Sequence, residues 1–84
     1  MRAQSLASRG RGDEAIRFDL AQRGIDAEAV DAAIASLEPE PVRARALAER
    51  LGRTPKTAAQ FRRNGFSEGS VEAALGEAVA GGGA

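Results

Sequence analysis

LAQRGIDAEAVDAAIASL, residues 20–37, and FRRNGFSEGSVEAALGEA, residues 61–78, carry one pattern twice. Gly24-Ile25 answers Gly65-Phe66, the polar Asp26 answers Ser67, and Val30, Ala32, Ala33 and Ile34 answer Val71, Ala73, Ala74 and Leu75, at a constant offset of 65 − 24 = 41 residues. Leu20 pairs with Phe61, Arg23 with Asn64 and Asp31 with Glu72 in the same register. A repeat of this length is one supersecondary unit that buries its apolar face against a neighbour. The pattern points to stacked helices rather than to an enzyme with one deep pocket.

Working outward, each element follows from local chemistry. Asp13-Glu14 puts negative charge at the start of a first helix over 13–23, in which Ile16 and Leu20 share a face. Gly24 suits the left-handed residue that ends a helix, with Ile25 folding back as its hydrophobic contact. Asp26 caps a second helix carrying Val30, Ile34 and Leu37, and Glu38-Pro39-Glu40-Pro41 breaks the chain. Pro41 opens a third helix with Val42, Ala46, Leu47 and Leu51 on its apolar face, ended by Gly52. Thr54-Pro55 opens a fourth to about Asn64, with Ala58 and Phe61 facing inward. Ser67 opens a fifth carrying Val71, Ala74, Leu75, Ala78 and Val79. No stretch alternates with period two over strand length, so the chain reads as all-α, with about five helices in two tandem three-helix-type repeats. The expected division is a lead-in at 1–12, a first repeat at 13–53, a second and shorter one at 54–80, and a disordered tail at 81–84.

Composition narrows the function. The 84 residues contain no Cys, His, Tyr or Trp, and 12 basic residues balance 12 acidic ones. Without Cys or His there is no thiolate site, no usual general base and no common transition-metal ligand. Catalytic, metal and cofactor sites are therefore expected to be none, and no small-molecule substrate is implied. Glu38 and Glu40, flanked by prolines, read as a breaker rather than a carboxylate pair. No apolar run suggests a signal peptide or a membrane span, so the expected setting is cytoplasmic with no membrane partner. Phe18 leaves the Ile16 stripe and either packs between repeats, the favoured reading, or stands as an exposed contact.

The residues also carry a family resemblance. Arg9-Gly10-Arg11-Gly12, Ile16, Asp19-Leu20, Arg23-Gly24-Ile25-Asp26, Val30 and Ala33-Ile34 resemble a middle repeat of the RecX regulatory proteins. Phe61-Arg62-Arg63-Asn64-Gly65-Phe66-Ser67, with Val71 and Leu75, resembles that family's closing repeat, and Ala44 to Leu51 resembles the alanine-rich helix joining the two. Family members usually carry a further repeat ahead of these, and the resemblance begins at the second, so the usual first repeat is expected to be absent. The connection between its repeats is also short for the family. The resemblance implies a non-enzymatic regulator that lies along the groove of the RecA filament on single-stranded DNA and restrains its ATPase and strand exchange. The setting it implies is recombination, DNA repair and the SOS response. It assigns filament or nucleic-acid contact to Arg9, Arg11, Arg17 and Arg23 in the first unit and to Arg62 and Arg63 in the second.

Two other readings use the same residues. Leu47 to Phe61 resembles a helix-turn-helix, with Ala48 and Gly52 four apart and Lys56, Thr57, Gln60 and Arg63 directed toward single- or double-stranded DNA. Stacked helices also serve as general protein-interaction modules. Arg9-Gly10-Arg11-Gly12 is either a phosphate-gripping segment or a solvated linker.

Overall fold

The computed structural model describes residues 2–81, whose regular structure is all helical, with no strand among them. Seven helices follow in order: α1 (Arg2–Ser8), α2 (Asp13–Gln22), α3 (Ala27–Ala35), α4 (Glu40–Leu51), α5 (Pro55–Arg63), α6 (Glu68–Leu75) and α7 (Glu77–Ala80). The expected all-α repeat is therefore present, with two more helices than the sequence reading names.

The Gly corners close as their composition requires. After α2, Gly24 takes φ +80 and donates its N–H to the Ala21 carbonyl (3.0 Å), while Ile25 N–H reaches Leu20 O (3.2 Å). After α5, Gly65 takes φ +86 and donates to Arg62 O (3.1 Å), while Phe66 N–H reaches Phe61 O (3.0 Å). Both are Schellman caps, which use a left-handed residue to satisfy the last carbonyls of a helix. The following helices start alike: Asp26 Oδ1 accepts from Ala29 N–H at 2.9 Å, and Ser67 Oγ accepts from Ser70 N–H at 3.2 Å.

The buried residues form two clusters. Ala3, Leu6, Ile16, Leu20, Val30 and Leu37 join α1, α2 and α3. Ala44, Ala48, Ala58, Phe61, Phe66, Val71, Ala74, Leu75 and Ala80 join α4 to α7. Alanine at 44, 48 and 74 lets the backbones of α4 and α6 approach closely, and Phe61 stacks on Phe66 at 4.9 Å to fill the space that remains. Full burial of a side chain of that size contributes about 1.5–3 kcal/mol. The two three-helix units lie along a body of 40 × 18 × 16 Å.

The internal repeat is thus longer than the sequence reading found. The same offset that pairs Gly24 with Gly65 pairs Ala3 with Ala44 and Leu6 with Leu47, so α1 answers α4. The expected lead-in at 1–12 contains a helix, and α4, assigned to a first repeat ending at residue 53, packs with α5 and α6 instead. Little in the sequence marks α1: its seven residues hold only two core side chains, Ala3 and Leu6, and no acidic residue in the first turn. The expected fifth helix is broken at Gly76, whose φ of +89 ends α6 and leaves Ala78 and Val79 on the short α7. Of the expected tail, Gly81 caps α7 and residues 82–84 lie outside the described range.

Apolar expectations are corrected on three helices. Phe18 is 66% exposed, on the face of α2 opposite Ile16, so it does not pack between the units. Val42, Ala46 and Leu51 on α4 are also exposed, because the buried stripe of that helix runs through Glu40, Ala44 and Ala48. Ala78 on α7 is exposed as well.

Candidate functional site

Helix α2 begins at Gly12, which has no side chain with which to cap it. The first N–H groups of any helix lack partners inside it. Here the second unit supplies them. Gly12 N–H donates to Asn64 O (2.8 Å), Asp13 N–H to Glu40 Oε2 (2.7 Å) and Glu14 N–H to Gly65 O (3.2 Å). This approach requires glycine at 12, since a β-carbon there would stand 2.5 Å from the Gly65 carbonyl and from Phe66 N. The two Gly segments that the sequence reading treated separately therefore meet at one seam.

Glu40 is the hub of that seam. Although acidic, it is 7% exposed. Its Oε1 accepts from Ser70 Oγ (2.6 Å), Ser67 Oγ (2.8 Å) and Ser67 N–H (3.1 Å), and its Oε2 takes the Asp13 N–H. Burial pushes this carboxyl up, but the donors from Ser70, Asp13 and Ser67 together outweigh it and hold the group below its ordinary value. Beside it, Arg43 pairs with Asp13 at 2.7 Å and donates to the Glu38 carbonyl at 2.8 Å. In sequence the flanking prolines make Glu40 read as part of a helix breaker; in the fold it is a buried acceptor. The only local signal is an acidic residue in the first turn of α4.

The six arginines singled out from the sequence fall into three groups. Arg17 pairs with Asp31 (2.5 Å), Arg23 shares Asp19 with Arg2 (each 3.0 Å), and Arg62 pairs with Glu68 (2.6 Å) while also donating to the Ala80 carbonyl. These contacts leave their mark on the acids: hydrogen bonding from the Arg2 guanidinium, ahead of Arg23, lowers the Asp19 carboxyl to about 2, and Arg62 likewise lowers Glu68. Arg11 reaches across the seam to Asn64 Oδ1 at 3.2 Å. Arg9 and Arg63 are exposed and make no ion pair among the described residues. Arg9 lies two residues before Arg11, and Arg63 directly precedes Asn64, so the two flank the seam from opposite units. Arg45, Arg50 and Lys56 are also exposed without an acidic partner among the described residues. Of these, Arg50 lines a cleft of about 280 Å³ between α1 and α4, with Ala7, Gly10, Leu37 and Leu47.

The alternative DNA-reading face loses one member. Thr57 is buried, and its N–H and hydroxyl engage Thr54 at the start of α5 (3.2 and 3.1 Å). A residue so placed cannot reach a base edge. Lys56 and Arg63 are exposed and Gln60 is half-buried. None of the described helices is long and apolar enough to cross a membrane.

Residues 1–34 match the family model of the second three-helix domain of RecX. No curated protein and no solved structure matches the chain. The matched range takes in α1, α2 and nearly all of α3, the same helices that share the first buried cluster. With the Gly-capped corner, the three-helix core and the family match all falling on one segment, this chain resembles the RecX family through its first unit.

Proposed function

We propose that this chain is a non-enzymatic regulator that binds the RecA filament and restrains its activity in recombination and DNA repair. The observation that carries the reading is the match to the second three-helix domain of RecX over the unit formed by α1 to α3. The second unit repeats that design in α4 to α6. Contact runs through cations not already held by acids, chiefly Arg9 and Arg63, with Arg45 and Arg50 added to the set suggested by sequence. Arg17, Arg23 and Arg62 contribute less, since each must first give up a carboxylate. The protein acts in the cytoplasm, where its partner assembles on single-stranded DNA.

Co-sedimentation with RecA filaments preassembled on single-stranded DNA, beside bare DNA at the same salt, tests this reading. Pelleting with filaments alone supports it. Equal pelleting with bare DNA, with steep salt dependence, favours a DNA binder acting through Lys56, Gln60 and Arg63. Absence from both pellets refutes filament binding.

A further inference from the structure

We propose that Glu40 is a positioning residue: a single carboxylate that clasps the two helical units at a fixed angle and so sets how their cationic surfaces face a shared partner. The partner half of this inference rests on the filament reading above, whereas the clasp itself does not.

The geometry is asymmetric in an instructive way. Three of the four bonds that Glu40 accepts come from Ser67 and Ser70 at the start of α6, within its own unit. The fourth comes from Asp13 N–H, at the start of α2 in the other unit. The carboxylate is therefore held by the second unit and offered to the first. Helix α2 has no cap of its own, so its first turn is completed only when the units are docked. The covalent link between the units is short, from Leu37 to Pro39, and carries no helix. Each unit has a separate buried cluster, so little apolar surface binds one to the other. Hydrogen bonds at the seam, together with the Gly12–Gly65 contact, are left to define the angle.

That angle has a consequence for binding. Arg9 belongs to the first unit and Arg63 to the second, on either side of the seam. Two contact points on one rigid body bind an extended partner with the second contact already at high effective concentration, an advantage lost when the joint swings freely.

Two variants separate the clasp from ordinary stability. Glu40→Gln removes the charge and one acceptor oxygen. Asp13→Pro replaces the N–H that crosses the seam with a ring carbon that stands against Glu40 Oε2, and removes the Arg43 partner, while leaving all three bonds inside the second unit; Asp13→Ala, which loses the Arg43 partner but keeps the N–H, is its control. Proline is well tolerated at the first position of a helix, and Gly12, with φ −84 and ψ 173, already has the extended backbone that precedes proline. The chain has no native Cys, so spin labels at Gln22→Cys and Glu72→Cys, both exposed and one per unit, report the inter-unit distance by pulsed electron resonance.

The expected result is one narrow distance distribution in the parent and a distribution about twice as wide in both variants, with helical circular dichroism retained. Unchanged widths overturn the clasp. Broadening in Glu40→Gln alone also overturns it, because the carboxylate would then act only within its own unit. Broadening in Asp13→Pro alone removes Glu40 from the role. If Glu40→Gln fails to fold, Asp13→Pro is read against Asp13→Ala: broadening in the proline variant alone supports the clasp, and equal widths in the two overturn it. In co-sedimentation, broadened variants are expected to bind filaments about tenfold more weakly than the parent. Undiminished binding overturns the positioning role, and a parent that never pellets refutes the filament reading while leaving the distance result to decide the clasp.

Discussion

Gly12 and Gly65 approach each other so closely that Gly12 N–H donates to the carbonyl just before Gly65, and a β-carbon on either residue would stand 2.5 Å from backbone atoms of the other segment. Gly24, the 41-residue counterpart of Gly65, meets nothing within 4 Å. Two glycines in one motif, with nearly equal φ of +80 and +86, thus serve different purposes. One ends a helix. The other ends a helix and admits the neighbouring unit.

Substitution separates those purposes. Gly24→Ala is expected to lose about 1–2 kcal/mol, the cost of a left-handed L-residue. Gly65→Ala carries the same cost and, in addition, about 1–3 kcal/mol for forcing a β-carbon against Ala15 N. Chemical denaturation of the two variants measures the difference, and equal losses would show that the seam yields without resistance.

The phenylalanines should divide just as sharply. Phe61→Ala empties the centre of the second cluster and is expected to destabilise by about 3–5 kcal/mol. Phe18→Ser alters an exposed side chain and is expected to fall within about 0.5 kcal/mol of the parent. A large loss in the second variant, read from the denaturation midpoint, would place Phe18 in a packed interface after all.

Acid should weaken the fold through a short list of groups. Glu40 and Asp19 both have folded values below their ordinary ones. A carboxyl lowered in this way stabilises the fold at pH above its unfolded value, and that contribution is lost as pH falls through the folded one. For Asp19 the window runs from 3.8 down to about 2. Around Glu40 the other charged groups are Asp13, Glu14, Arg43 and Arg62. The denaturation midpoint of Glu40→Gln is therefore expected to vary less with pH below about 4.5 than that of the parent. Parallel curves would mean that Glu40 titrates alike in the folded and unfolded chain.

Binding should follow free charge rather than total charge. Arg9→Ala combined with Arg63→Ala is expected to weaken filament co-sedimentation about tenfold, on the scale of two charge-assisted contacts. Arg17→Ala, which gives up a solvent-exposed pair that contributes little, should bind nearly as the parent does. The reverse order would show that the partner breaks the Arg17–Asp31 pair to reach its arginine.

What the sequence by itself determined is local. Gly24 and Gly65 end their helices, Asp26, Thr54 and Ser67 start the next ones, and Ile16, Leu20, Val30, Phe61 and Val71 face inward, because capping and helical periodicity act within a few residues. The all-helical repeat was legible for the same reason, and the resemblance to RecX lay in the motif strings around Gly24 and Gly65. What only the tertiary structure decided lies between elements distant in the chain. Nothing local marks Glu40 as a buried hub, since its donors come from residues 27 and 30 positions away. Gly12 looks like a linker residue until Gly65 is brought against it. The arginines look alike in sequence, yet Asp19, Asp31 and Glu68 occupy some and leave Arg9 and Arg63 open, a distinction set by which helices pack together. Charge and hydrogen bonding depend on distance in space, and only the folded chain defines that distance.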